Sequence, residues 1–261
     1  MTDELRRAIA FEEALRDGSA DRIVPFPFGD ALFTDSLPRV WDVNLVRVER
    51  AEGAGAAELA AEADRVQGAA GLAHRKLVVL HERDGERLAP GFRELGWETT
   101  RFLFMLHRTP AAREPAAPAT EVSREVLRPL RERIARDAPW ARDEDDIREV
   151  LASADRIATV GNARHFAVLE EGVVASCADL YSDGRTAQIE DVATVPEFRG
   201  RGYASAAVLT ALAAALSNGH DFVFLVADDD DWPKELYARL GFEPLGRTFA
   251  FLRKPDRPPA R

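Results

Sequence analysis

The residues best suited by type and spacing to do chemistry lie in the run Val192-Ala193-Thr194-Val195-Pro196-Glu197-Phe198-Arg199-Gly200-Arg201-Gly202-Tyr203-Ala204-Ser205. A β-branched stretch breaks at a proline and passes through a basic, glycine-punctuated turn. It then continues into the helical pattern Ala206-Ala207-Val208-Leu209-Thr210-Ala211-Leu212. A strand, a glycine turn and a helix N-terminus make an anion site. The first-turn N–H groups have no intrahelical acceptor, and the helix dipole favours negative charge there. Gly200 and Gly202 let the backbone come close to phosphate oxygens, and Arg199 and Arg201 add positive charge.

Three further features are candidates. Glu190 and Gln188 share one face of the strand that leads into this turn. Tyr237 stands in Leu236-Tyr237-Ala238-Arg239-Leu240-Gly241-Phe242, a short helix closed by glycine. Asp228 to Asp231 form an acidic run before Trp232-Pro233. The run reads as one helix-capping aspartate with solvated neighbours, and consecutive aspartates do not converge on a metal ion. The five histidines are dispersed, so no metal site is expected.

Arg199, Gly202 and Ala204 meet the spacing of the acyl-CoA-binding motif of the GNAT superfamily of N-acetyltransferases, and the segment Leu236–Phe242 is similar to that family's second signature. The resemblance covers roughly residues 121–254. It implies an α/β fold, a mixed and mostly antiparallel sheet flanked by helices, with acetyl-CoA as co-substrate and no metal. Carried over by position, Val192, Ala193 and Thr194 align the pantetheine arm through the strand backbone. Arg199, Gly200, Arg201, Gly202, Tyr203, Ala204 and Ser205 hold the pyrophosphate. Tyr237 becomes the general acid for the departing thiolate, the other reading being a packed helix tyrosine. Glu190 falls where acceptor-binding residues lie; it is either the general base or a solvated strand glutamate, since many members deprotonate the amine through water. Asp230 occupies a position where the family carries a cofactor-contacting asparagine.

Behind these residues the sequence predicts helices marked by Leu127, Leu130 and Ile134 and by Ile147, Val150 and Leu151. It predicts strands over 166–169, 173–180, 187–195, 222–227 and 249–252. An internal repeat is present. Leu77-Val78-Val79-Leu80 aligns with Phe222-Val223-Phe224-Leu225, and at the same offset of 145 positions Phe92–Glu98 aligns with Tyr237–Glu243. Arg101–Leu106 then matches Arg247–Leu252 after a one-residue slip. The expected organisation is therefore tandem: a degenerate GNAT-like domain over 1–108, a Pro/Ala linker over 109–120, a GNAT acetyltransferase domain over 121–254 and a tail over 255–261. The first half lacks the motif, with Ala54, Ala57 and Leu59 where the second has Arg199, Gly202 and Ala204, and Phe92 in place of Tyr237.

The 261 residues are 46% hydrophobic with a net charge of −10, enough for packed cores and against non-specific nucleic-acid binding. The single cysteine, Cys177, lies in an apolar run and reads as core. No apolar stretch approaches a membrane span and the N-terminus has no secretory pattern, so a cytoplasmic protein is expected, without membrane or nucleic-acid partners. The expected activity is acetyl transfer to a primary amine on a small molecule or peptide. The alternatives are a non-catalytic acyl-CoA-binding module and a nucleotide-binding phosphate loop, the latter lacking the required Gly-Lys-Ser/Thr ending. Trp41 and Trp97 read as core.

Overall fold

The computed structural model describes residues 1–51, 53–110, 115 and 117–255. Helix α1 (Asp3–Ser19) opens with Thr2, whose hydroxyl accepts the Leu5 N–H at 3.2 Å, and carries Asp3 and Glu4 in its first turn. Next come β1 (Arg22–Phe26), β2 (Gly29–Phe33) and β3 (Leu45–Val48), then α2 (Ala56–Ala69), β4 (Arg75–Val79), α3 (Glu82–Glu94) and β5 (Glu98–His107). The second half has β6 (Thr120–Val122), α4 (Arg124–Asp137), α5 (Glu144–Val160), β7 (Arg164–Glu170), β8 (Val173–Ser182) and β9 (Thr186–Thr194). It ends with α6 (Tyr203–Ser217), β10 (Phe222–Asp228), α7 (Pro233–Arg239) and β11 (Phe242–Arg253). Residues 111–114 and 116 of the expected linker and 256–261 of the expected tail lie outside the described residues, and Thr120 already pairs with Ala167.

The α/β class is as expected, and all eleven strands join one mixed sheet, in the order β1-β2-β3-β4-β11-β5-β10-β9-β8-β7-β6. Only β3/β4 and β9/β10 are parallel. The repeat is visible in the elements: β3-α2-β4-α3-β5 recurs as β9-α6-β10-α7-β11, and each parallel pair follows an antiparallel meander. The one-residue slip in the repeat falls at a bulge in β11 between Pro244 and Gly246. The two last strands cross over. β5 lies between β11 and β10, and β11 lies between β4 and β5, paired with β5 from Phe242↔His107 to Leu252↔Glu98.

Helices cover both faces. On one, alanine-rich α6 lies on Leu180, Ile189, Val223 and Leu225, and α7 adds Tyr237 and Leu240. On the other, Leu5, Ile9 and Phe11 of α1 pack with Ala158 of α5 against Phe104, Phe222 and Phe224. Cys177 is buried as expected, and burial with Asp179 nearby pushes its thiol up to about 12, so it stays protonated and inert. Trp97 is core, its ring tilted against Phe92 with centroids 5.1 Å apart. Two expectations fail. Ile134 is exposed while Leu127 and Leu130 are buried, because α4 presents a narrower apolar stripe. No aspartate caps α7, and its neighbours are not all solvated: Trp232 is the cap residue, Asp231 accepts only the Trp232 N–H at 2.7 Å, and Asp229 is buried in an ion pair with Arg247 at 2.7 Å. Among the described residues no helix is long and apolar enough to cross a membrane.

Candidate active site

The site grows from the way β9 leaves the sheet. Against β8, Glu190 opposes Asp179 and Ala193 opposes Cys177, so Asp191 and Val192 share Ala178 as a partner. This is a bulge, and Asp191 sits at φ +51° within it. Side chains of β8 hold it: the Tyr181 hydroxyl donates to Asp191 Oδ2 at 3.1 Å, and the Ser176 hydroxyl donates to the Ala193 carbonyl at 2.8 Å. Against β10, β9 pairs only from Thr186↔Phe222 to Ile189↔Leu225. Beyond that the two parallel strands part. Residues 190–194 keep only β8, and residues 226–228 keep only β5. The result is a slot whose one wall is the backbone of Val192, Ala193 and Thr194.

At the end of β9 a single 3-10 turn at Pro196–Phe198 leads into the exposed loop Arg199–Gly202. Gly202, the residue before α6, is left-handed at φ +80°, and Gly200 is at φ +77°. That backbone region disfavours side chains. Among the described residues none of the N–H groups from Gly200 to Ser205 has an acceptor; the first closure is Ala206 N–H to Gly202 O at 3.1 Å. Tyr203, Ala204 and Ser205 form the half-buried first turn, and the Tyr203 hydroxyl donates to Glu170 Oε2 at 2.6 Å, tying α6 to β7. Arg199 and Arg201 are exposed beside this loop. Tyr237 is buried on the α6/α7 face of the sheet, and burial together with the Glu190 charge raises its phenol above the usual tyrosine range, keeping it a proton donor. Asp230 is engaged elsewhere, in an ion pair with Arg101 of β5.

Glu190 faces the opposite side, into a cavity of about 590 Å³ between the two halves. Gln188, expected as polar lining, is buried, and its amide donates to Glu190 at 2.7 Å and to Glu12 of α1 at 3.1 Å. Burial raises Glu190 well above the usual carboxylate range, with Asp191 and Glu12 adding to the effect. Burial raises Glu12 as well. Trp41, expected in the core, is half-buried in the cavity wall because the turn before β3 projects it there. Sequence reasoning missed Glu12, Tyr181 and Asp191. Glu12 is far away in the chain, and a bulge leaves no compositional trace.

Residues 127–242 match the model of the Acetyltransferase (GNAT) family. The uncharacterized N-acetyltransferase CgeE of Bacillus subtilis (strain 168) is 35% identical over 78 residues, which is 29% of this chain and only 30% of that protein's length. The GCN5-related N-acetyltransferase from Kribbella flavida superimposes with a TM-score of 0.62 at 21% identity, covering 98% of this chain and 97% of its own. A tandem GNAT protein from the clavulanic acid biosynthesis pathway gives 0.52 at 15% identity over 77% of this chain and 70% of its own. At these identities the two structures speak for the fold alone, and that fold is shared over nearly the whole chain.

Proposed function

We propose that the protein transfers an acetyl group from acetyl-CoA to the primary amine of an acceptor bound in the cavity between the halves. The observation that carries this reading is the slot between β9 and β10, with Glu190 on one face of the sheet and Tyr237 on the other. The residues present fit the cofactor. Gly200 to Ser205 offer six consecutive N–H groups to a pyrophosphate, and the unpaired edge of Val192, Ala193 and Thr194 can pair with an extended amide arm. When bound, acetyl-CoA supplies the activated acyl group as a thioester.

The chain's own residues do the rest. Glu190, its affinity for protons raised, takes a proton from the incoming ammonium, so that a neutral amine faces the slot. An unpaired N–H at the β9 bulge stabilises the carbonyl oxygen as charge builds on it. The nitrogen–carbon bond forms, the carbon–sulfur bond breaks, the Tyr237 phenol gives its proton to the sulfur, and the proton that the new amide nitrogen sheds restores the phenol. Full-length protein with acetyl-CoA and a panel of primary amines tests this by release of free thiol. Thiol release that depends on an amine is the expected result. CoA binding without release for any amine would replace the reading by a non-catalytic acyl-CoA-binding module.

A further inference from the structure

The cavity's charges fall into two groups. Its three arginines are already matched. Arg39 pairs with Asp143 at 2.6 Å and Asp146 at 3.2 Å, Arg142 pairs with Asp146 at 2.7 Å, and Arg16 pairs with Glu13 at 2.6 Å and Glu12 at 3.4 Å. Asp42 is matched by Lys76. Glu190, Asp191 and Asp228 differ: among the described residues none has a basic side chain within ion-pair distance, and all three lie at the slot end. Elsewhere the wall is mostly apolar, built by Leu32, Val40, Trp41, Phe102, Trp140 and Val150, with Ser19 and Ser153 as uncharged polar interruptions. Four of these six apolar residues belong to the first half, so the part of the chain without the CoA motif builds much of the acceptor chamber.

We infer that the acceptor is a primary amine on an apolar, ring-bearing body that carries no carboxylate and no second cation. This rests on the transferase reading above. An ammonium entering the chamber meets carboxylates without basic partners at the slot, where its nitrogen must react. A carboxylate on the same molecule would sit among those like charges, because the arginines are committed. A second ammonium at the far end of the molecule would be pressed against the apolar wall, away from the three unmatched carboxylates at the slot. A ring fits the wall, where Trp41 and Trp140 also offer π faces to the approaching cation. The volume is in the range of small-molecule sites.

The experiment compares kcat/KM of the full-length protein for 2-phenylethylamine, ethylamine, L-phenylalanine and 1,4-diaminobutane. The ring amine should exceed ethylamine and L-phenylalanine by about 100-fold, and the diamine by about 10-fold. Trp140→Ala should raise KM for 2-phenylethylamine about 10-fold with a smaller change in kcat, and should change ethylamine less. L-Phenylalanine or diaminobutane matching 2-phenylethylamine would overturn the inference. If no amine is acetylated, the transferase reading fails by itself, and the chamber is judged by tryptophan fluorescence. A saturable change with 2-phenylethylamine and none with L-phenylalanine supports the inference; no change with either overturns it.

Discussion

The two halves run the same sequence of elements to opposite ends. In the first, β3 stays paired with β4 to its last residue, and the Leu80 N–H still bonds the Val48 carbonyl at 3.1 Å. In the second, β9 leaves β10 five residues early. Both helices that follow begin after a glycine, so the helix caps align Gly55, rather than the Ala57 of the constant offset, with Gly202. Gly55 is extended, a conformation open to any residue, whereas Gly202 is left-handed. The loop before Gly55 turns its carbonyls to Arg87, which bonds Ala51 and Ala54 at 2.7 Å each. The loop before Gly202 offers N–H groups instead. Helix α3 packs on α2 so closely that a Cβ on Gly91 would lie 2.8 Å from that of Ala56, while α7 and α6 barely touch. Phe92 fills the first half's core, fully buried and stacked on Phe251 at 4.1 Å; Tyr237 in its place brings a hydroxyl. The shared scaffold makes a slot where strands, amides and helices stay apart, and a wall where they close.

The comparison breaks first at Tyr237. Tyr237→Phe makes the second half resemble the first and should lower kcat by about 10²–10⁴-fold with CoA affinity kept, measured by thiol release. Wild-type turnover would return Tyr237 to a packing role. Glu190 gives the next effect. Its raised proton affinity means that activity climbs with pH as the carboxyl ionises, over a window that begins above the ordinary glutamate value near 4.5. Asp191 on the same strand and Glu12 on α1 push that window up, and Arg16 opposes them. The stability sign is the reverse: the folded state holds the proton more tightly, so Glu190's contribution falls as pH rises through the same window. Glu190→Gln should remove the acid limb of the pH–rate profile, and an unchanged limb would assign it to another group. Gly202→Val should weaken CoA binding by roughly 10–100-fold, since a β-branched residue resists φ +80° by about 1–3 kcal/mol. Calorimetry should show one CoA per chain before the change, and two sites would contradict the closed first half. The smallest effect concerns the join. Proteolysis within 109–120 should leave the fragments together on a sizing column, because β5 is held between β11 and β10. Separation into two folded pieces would contradict the shared sheet.

Much of this was legible in the sequence. In the second half the apolar periods located the elements, and the glycine turn before α6 declared itself, because both depend on local chemistry. The repeat located the bulge in β11 to within two residues, because an inserted residue must go somewhere. The crossing of β5 and β11 was not legible. The two strands carry similar patterns, Arg-Phe-x-Phe-x-Leu against Arg-x-Phe-x-Phe-Leu, and alternation does not say which half's strand each will pair with. Nor was the chamber legible. Glu12 meets Glu190 only through Gln188, and nothing in the residues around Glu12 announces a partner on the other half.

The crossed strands also set a timetable. β4 takes β11 as its neighbour, and β11 is the last strand described, so a nascent chain that has made Leu77, Val78 and Val79 must wait for Phe249 to Arg253. At ordinary synthesis rates that is roughly 10–35 s with an apolar strand edge open on the ribosome. The two ends of the sheet can pair locally, but its centre closes only when β11 is made. A truncated product carries an adhesive edge, and the burden of keeping it soluble falls on whatever shields nascent chains in the cell.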